Sequence, residues 1–190
     1  MKWWFLTPLS KWSHECSFIH GTICLPLTMK FAVWGGTLLI ATTKYFIISE
    51  AGKEMESVIR LVWIGYDKCV GALEGAIDAY RASGMPLETM NPVAAAELIP
   101  TMMIFDVRNP SELLHGQSKG AINVLLEKMT SLPREGKRVE KFPLWKTFYI
   151  HCKTGGRSTI ACHILREGGY FSHVNIDGGY DVIKMIRKTP

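Results

Sequence analysis

Short apolar runs alternate with helical segments over residues 91–190, and this alternation constrains the fold more than any other feature of the chain. The apolar runs are bounded by Gly, Pro or charged residues, whereas the helical segments space their apolar residues three or four apart. The predicted strands are 101–107, 121–125, 147–151 and 173–176, and the predicted helices are 93–99, a short one opening at 109–112, 158–166 and 180–187. Such alternation predicts an α/β fold, a parallel sheet flanked by helices.

Part of this pattern occurs twice. Tyr45-Phe-Ile-Ile-Ser49 aligns with Phe148-Tyr-Ile-His-Cys152 at an offset of 103 residues, and Leu73-Glu-Gly-Ala76 aligns with Ile176-Asp-Gly-Gly179. Self-similarity at a fixed offset predicts a tandem repeat. We therefore expect an irregular N-terminal segment at 1–16, a truncated and degenerate copy at 17–87 that lacks its first strand, a linker at 81–87 and a second domain at 91–190.

The composition argues against several partners. The chain has 47% hydrophobic and 21% charged residues, which is typical of a folded globular protein, and its net charge of +5 comes from scattered residues. Without a basic cluster, we expect no nucleic-acid partner. The longest apolar stretch, 31–43, is shorter than the ~20 residues of a membrane-spanning helix, so we interpret it as a core strand and expect no membrane partner.

The five cysteines have irregular spacing, and no two form a Cys-x-x-Cys pair. This pattern argues against a disulfide framework and a zinc ribbon, and it favours reduced thiols in the cytoplasm. We expect neither a metal nor a cofactor.

The segment His151-Cys-Lys-Thr-Gly-Gly-Arg-Ser158 lies between a predicted strand and a predicted helix, where α/β proteins usually bind ligands. Gly155 and Gly156 allow a tight turn whose N–H groups point inward and bind an anion. The helix N-terminus adds positive potential there, so Cys152 is expected to be partly ionised and nucleophilic. Arg157 and Lys153 would hold an anionic substrate. The alternative is that Cys152 is an ordinary buried thiol.

Four segments resemble the landmarks of the rhodanese family of sulfurtransferases: Cys152-Lys-Thr-Gly-Gly-Arg157-Ser, Phe105-Asp-Val-Arg108, Gly120-Ala-Ile-Asn123 and Asp177-Gly178-Gly179. The resemblance covers residues 91–190, with one departure at 117–119. It implies that Cys152 carries sulfur as a persulfide, with Arg157 as a second catalytic residue. Substrate-binding residues would be Lys153, Thr154, Gly155, Gly156 and Ser158, and Asp106 and Arg108 would support the loop.

The implied partners are a small-molecule donor, such as thiosulfate or a low-molecular-weight persulfide, and an acceptor thiol or cyanide. Residues 59–66 and 71–75 also resemble the inactive rhodanese-like segment of fusion proteins in which a persulfide dioxygenase precedes two rhodanese domains. That dioxygenase's metal motif, His-x-His-x-Asp-His, does not occur in this sequence. A separate metallo-hydrolase or sulfur-acceptor protein is the partner expected from this resemblance.

Two alternatives remain open. A Cys-dependent phosphatase or arsenate reductase uses similar loop chemistry, but its loop is longer than the four residues between Cys152 and Arg157. A non-catalytic binding module is the other alternative, because the first copy carries Ser49 at the position of Cys152 and acidic Glu50 and Glu54 nearby.

Overall fold

The computed structural model describes residues 4–9, 16–27, 30–39, 42–130 and 141–186. The chain divides into two compact units, Met1–Thr89 and Met90–Pro190. Among the described residues, each unit has a main sheet of four strands and three α-helices, and each unit is described below by itself.

The first unit contains a four-stranded parallel sheet with the order β3-β1-β4-β5. A separate two-stranded sheet pairs β2 with β6. The elements, in chain order, are β1 (Trp4–Leu9), β2 (Cys16–Phe18), β3 (Thr22–Pro26), α1 (Phe31–Leu38), β4 (Tyr45–Ile47), α2 (Glu54–Val62), β5 (Cys69–Ala72), α3 (Ala76–Ala82) and β6 (Glu88–Met90).

The second unit contains another four-stranded parallel sheet, with the order β10-β9-β7-β8. Counted along the chain, the strands lie in the order 4-3-1-2, and the main sheet of the first unit has the same order. The elements are β7 (Ile104–Asp106), α4 (Pro110–Leu113), β8 (Ile122–Asn123), β9 (Phe148–His151), α5 (Gly156–Glu167), β10 (His173–Asn175) and α6 (Gly179–Ile186).

Both faces of the second sheet are covered, as the alternation of strands and helices predicted. One face packs Ile104 and Ile176 against Ile183 of α6 and Ala95 of a 3₁₀ turn. The side chains that alternate with these include Phe105, whose ring lies 5.4 Å from that of Phe148. The α/β fold with a parallel sheet flanked by helices is therefore confirmed.

The predicted helix at 93–99 is wrong. Only Ala95–Glu97 forms a 3₁₀ turn, and Val93 instead makes a parallel bridge with Ile176 at the sheet edge. The N–H of Val93 donates to the Asn175 carbonyl at 2.9 Å, and its own carbonyl accepts from Asp177 at 2.9 Å. These sheet hydrogen bonds hold Val93 in an extended conformation and override the local helix signal.

The expectation of an irregular segment at 1–16, with a first strand missing, is also wrong for residues 4–9. They form β1, which lies inside the sheet between β3 and β4. Pairing with β4 ends at Leu6, whereas pairing with β3 continues to Leu9. Pro8 therefore lies where β1 has only one neighbour, a position that tolerates the missing N–H.

The apolar stretch at 31–43 contains a helix rather than the predicted strand. Phe31, Trp34, Gly35 and Leu38 are its buried residues, a spacing of three or four that places them on one face. A Cβ at Gly35 would lie 2.6 Å from a methyl group of Leu61, so glycine allows α1 to pack closely on α2. Within the described residues, no helix is long and apolar enough to cross a membrane.

Candidate functional site

The loop that carries Cys152 joins β9 to α5 at the carboxyl end of a central strand. Gly155 lies directly before α5 and has φ +104°, a conformation that side-chain-bearing residues rarely adopt. This glycine turns the chain so that the first turn of α5 follows Cys152 after only three residues. The thiol is thereby positioned at the positive end of a 12-residue helix.

The sulfur of Cys152 faces a backbone amide of the loop and the hydroxyl of Ser158. The Gly155 N–H donates to Cys152 Sγ at 3.2 Å, and the Ser158 hydroxyl lies 3.7 Å from the same sulfur. Ser158 Oγ also donates to the Gly155 carbonyl at 2.8 Å, which connects the loop to the helix. Cys152 is 1% exposed, so the sulfur lies in a buried and polar environment that can stabilise a negative charge.

Helix α6 supports this loop from its own N-terminus. The N–H of Tyr180 donates to the Cys152 carbonyl at 2.8 Å, and the N–H of Asp181 donates to the Lys153 carbonyl at 3.1 Å. Gly179, at φ +60°, is packed so closely that a Cβ there would lie 2.6 Å from the Cys152 carbonyl oxygen. The Asp-Gly-Gly segment therefore fixes the backbone of the loop.

Asp106 and Arg108 form a buried ion pair at the end of the neighbouring strand β7. Arg108 Nη2 donates to Asp106 Oδ2 at 2.6 Å and to the Gly116 carbonyl at 3.0 Å. The guanidinium lies 4.1 Å from the centroid of the Tyr180 ring, a cation–π contact. Because Tyr180 binds the Cys152 carbonyl, this ion pair contacts the loop through α6, which fits the supporting position expected for both residues.

His151 belongs to the same buried group. Its Nδ1 lies 3.1 Å from the Cys152 carbonyl, and its ring stacks on that of Tyr180 with centroids 6.3 Å apart. Its Nε2 lies 3.8 Å from Asp106 Oδ2. His151 thus packs beneath the loop backbone, and Gly155 and Ser158 are the residues whose hydrogen bonds reach the sulfur.

Arg157 is paired with Glu112 of α4. Arg157 Nη1 donates to Glu112 Oε2 at 2.5 Å, and Nη2 donates to Oε1 at 2.7 Å, a bidentate geometry. The hydrogen bond to Glu112 raises the pKa of Arg157. The same ion pair lowers the pKa of Glu112. Both side chains are therefore charged at neutral pH.

A cavity of about 240 Å³ lies beside the loop. Lys153 and Asp181 contribute to its wall, and so do Arg108 and Glu112; the remaining lining residues are His115, Tyr180 and Lys184. The volume is below the ~300–1,000 Å³ of pockets for drug-sized ligands, so the cavity suits a small molecule. Lys153 and Thr154 are exposed, whereas Gly155, Gly156 and Ser158 are buried around the sulfur.

A family model for the rhodanese-like domain matches residues 91–185, which is half of the chain. The chain belongs to the rhodanese-like domain family. The match falls within the unit that contains Cys152 and its loop. No curated protein matches the chain.

Several solved structures resemble the chain. A rhodanese-related protein from Thermoplasma volcanium is 27% identical over 52% of this chain and 94% of its own, with a TM-score of 0.42. The human single-domain sulfurtransferase TSTD1 is 24% identical over 52% of this chain and 97% of its own, with a TM-score of 0.42. The 3-mercaptopyruvate sulfurtransferase of Leishmania major is 12% identical over 98% of this chain and 71% of its own, with a TM-score of 0.46.

Sequence reasoning missed two residues of the rhodanese-like site. In the sequence, Glu112 stands out only as the acidic residue of the helix start Asn109-Pro-Ser-Glu112. The structure shows that Asn109 and Glu112 form a capping box there. Its pairing with Arg157 joins residues 45 positions apart, which no local pattern reports. Tyr180 follows the recognised Asp-Gly-Gly segment, but its ring contacts depend on how α6 packs.

Cys162 is fully buried on α5, and burial strongly raises the pKa of its thiol. A thiol in that environment stays protonated and is a poor nucleophile. Cys162 is therefore a core residue, whereas Cys152 accepts a hydrogen bond from a loop amide.

In the first unit, the loop that follows β4 contains Ser49 and several charged residues. Ser49 follows β4 and is 1% exposed. Lys53 Nζ pairs with Glu56 at 3.0 Å, and the Lys53 N–H donates to the Glu50 carbonyl at 3.0 Å. A serine without an activating base is a weak nucleophile, and an acidic loop repels anions.

Proposed function

We propose that the rhodanese-like domain is a sulfurtransferase in which Cys152 receives a sulfane sulfur and passes it to an acceptor. The Cys152 thiolate attacks the outer sulfur of a donor such as thiosulfate or a small persulfide. The S–S bond of the donor breaks, the remainder leaves as sulfite or thiolate, and Cys152–S–SH forms after protonation. An acceptor thiol or cyanide then removes the outer sulfur and restores the thiolate.

The hydrogen bond from the Gly155 N–H to Cys152 Sγ carries this proposal. An amide that already points at the sulfur at 3.2 Å stabilises the thiolate before attack without reorganisation. After transfer, the Gly155 N–H and the N-terminus of α5 would stabilise the persulfide anion. A buried thiol without such a donor would be protonated, as Cys162 is.

The remaining loop residues fit supporting roles in this reaction. Lys153 at the cavity wall would attract a donor, and Ser158 would orient the sulfur through its hydroxyl. Thr154, Gly155 and Gly156 would shape the loop, while Asp106 and Arg108 would keep it in place. The reaction requires a reduced Cys152, which fits a cytoplasmic compartment.

We also infer that the first unit is a degenerate copy of the second. Equivalent backbone hydrogen bonds recur with an offset of 103 or 104 residues: Leu73 to Ile47 and Ile176 to Ile150, and Tyr66 to Leu61 and Tyr170 to Leu165. Left-handed residues recur as well, with Gly75 at φ +71° against Gly178 at +66°, and Ala76 at +57° against Gly179 at +60°.

This duplication supports the likeness to the tandem rhodanese part of persulfide dioxygenase fusion proteins. In that proposal the first unit is structural or serves as a docking surface, and a separate metallo-hydrolase or sulfur-acceptor protein supplies or consumes the sulfur. The loss of the cysteine at Ser49 and the acidic residues around it support a non-catalytic role for this unit.

Substitution of the two equivalent residues tests the proposal. Cys152→Ser is expected to abolish sulfur transfer from thiosulfate to cyanide, because serine cannot form the persulfide. Ser49→Ala and Cys69→Ser, both in the first unit, are the matched controls and are expected to retain full activity. Full activity in Cys152→Ser would refute the proposal.

The two alternatives predict different results in the same assay. A binding module would show no transfer before or after the substitution. A phosphatase would hydrolyse a generic aryl phosphate in a Cys152-dependent reaction and would not transfer sulfur.

A further inference from the structure

The guanidinium of Arg157 has both of its terminal nitrogens bonded to Glu112. The two hydrogen bonds, at 2.5 and 2.7 Å, run in parallel to the two oxygens of one carboxylate. The Arg157 side chain is 17% exposed, and that of Glu112 is 28% exposed, so solvent screens the pair only in part. An anionic donor would therefore find the Arg157 fork occupied and its charge neutralised.

Glu112 is held in this position by a second contact. The N–H of Asn109 donates to Glu112 Oε2 at 3.1 Å as part of the capping box of α4. This contact and the one to Arg157 both favour the ionised carboxylate, and its pKa is lowered. Glu112 is therefore a fixed negative charge beside the loop rather than a mobile surface group.

The cavity beside the loop has charges of both signs. Lys153 and Lys184 provide ammonium groups and Asp181 provides a carboxylate, and all three line the same space of about 240 Å³, whereas Arg157 neutralises the charge of Glu112. Arg108 adds little net charge because Asp106 neutralises it. Such a wall matches a molecule with both an ammonium and a carboxylate group better than it matches a dianion.

We propose that Glu112 determines donor specificity, and that the site favours the persulfide of a small amphoteric thiol over a dianion such as thiosulfate. This inference rests on the proposed sulfurtransferase function. Glu112 acts by occupying Arg157, while Asp181 and the two lysines of the cavity bind the ammonium and carboxylate groups of the donor.

The favoured reaction is balanced without an oxidant or a cofactor. The Cys152 thiolate attacks the outer sulfur of R–S–SH, the S–S bond of the donor breaks, and R–S⁻ leaves with the bonding electron pair. The products are Cys152–S–SH and the thiolate of the amphoteric thiol. With thiosulfate the leaving group would be sulfite, a dianion that the Arg157 guanidinium cannot bind while Glu112 occupies it.

The test compares two donors with the full-length protein and its Glu112→Gln variant. The measured quantity is the single-turnover rate of sulfur addition to Cys152, with either thiosulfate or cysteine persulfide as the donor. Glutamine keeps an oxygen for the Asn109 N–H but removes the charge that neutralises Arg157. We expect the thiosulfate rate to increase by about tenfold and the cysteine persulfide rate to change less than about twofold.

Glu167→Gln is the matched control. It removes the same charge from the far end of α5, about 15 Å along the helix from Arg157, where screening is extensive. We expect it to leave both rates unchanged. A thiosulfate rate that is unchanged or lower in Glu112→Gln would overturn the specificity inference while the proposed function stands.

Asp181→Asn independently tests whether the site prefers a donor with both an ammonium and a carboxylate group. It also provides the test if Glu112→Gln does not fold. It is expected to slow the reaction with cysteine persulfide severalfold and not to slow the reaction with thiosulfate. A slower reaction with thiosulfate and not with cysteine persulfide, or no change with either donor, would overturn the inference. Failure of both donors to add sulfur to Cys152 in the unsubstituted protein would instead count against the proposed function itself.

Discussion

Replacing Gly179 by alanine tests whether the backbone contact between α6 and the Cys152 loop is required for activity, without changing any residue of the loop. Gly179 has φ +60°, and a Cβ there would lie 2.6 Å from the Cys152 carbonyl oxygen and 2.7 Å from that of Lys153. Both contacts are to backbone atoms, which cannot rotate away as a side chain can. The loop must therefore withdraw by several tenths of an ångström towards the 3.4 Å at which ordinary contact begins.

The expected loss has two parts. The left-handed conformation costs an alanine about 1–2 kcal/mol of stability. Displacement of the loop additionally weakens the Tyr180 hydrogen bond to the Cys152 carbonyl, now 2.8 Å, and moves the sulfur relative to the Gly155 N–H. A misplacement approaching 1 Å lowers the rate by about 100-fold, so we expect that loss in kcat/KM for thiosulfate:cyanide transfer.

Gly169→Ala is the matched control. Gly169 has φ +82°, and a Cβ there would meet nothing within 4 Å. The conformational cost is therefore similar, whereas the loop is untouched, and we expect a comparable loss of stability in urea unfolding with nearly full activity. Ala76 of the first unit has φ +57°, which shows that an alanine of this chain adopts this conformation. If Gly179→Ala retained activity equal to that of Gly169→Ala, the loop-support argument would be refuted.

The other predictions concern the hydroxyl group of Ser158 and the partly buried side chain of His173. Ser158→Ala removes the hydroxyl 3.7 Å from Cys152 Sγ, and we expect sulfur transfer to slow on the order of tenfold, which corresponds to about 1.4 kcal/mol. Ser57→Ala is the control, because it also removes a buried serine hydroxyl that is bonded to a backbone carbonyl. In the same steady-state assay it should retain full activity, and its only effect should be a loss of stability. Burial lowers the pKa of His173 to about 4, so the unfolded chain binds a proton between about pH 6.5 and 4 that the folded chain does not. The free energy of unfolding should therefore fall as the pH falls through that range, by on the order of 3 kcal/mol, and urea titrations of His173→Asn should lack this decrease; an equal decrease in the variant would contradict the assignment.

The sequence predicted the second sheet well because its strands are short apolar runs with clear stops. The strand predicted at 147–151 is β9 at Phe148–His151, and the helix predicted at 158–166 is α5 at Gly156–Glu167. The Cys152 loop lies at their junction, as the pattern indicated. Local patterns suffice here because the strand, the turn glycine and the helix are consecutive.

The failures arose where tertiary contacts decide the structure. Val93 lies in a local helix pattern, yet its hydrogen bonds with Asn175 and Asp177 keep it extended. The apolar stretch at 31–43 fits either a buried strand or a buried helix, and its glycine at position 35 is needed only because Leu61 packs there. Glu112 escaped notice for the same reason, since its partner lies 45 residues away.

The mass of the Cys152 peptide after treatment with a sulfur donor tests the account most directly. The full-length protein is incubated with thiosulfate, separated from it, blocked with an alkylating reagent and digested for peptide mapping. We predict a gain of one sulfur atom on Cys152, reversed by cyanide, and no gain on Cys162 or Cys69. An unmodified Cys152 in the folded protein, or sulfur spread equally over all the cysteines, would contradict the claim that the loop makes this thiol the sulfur carrier.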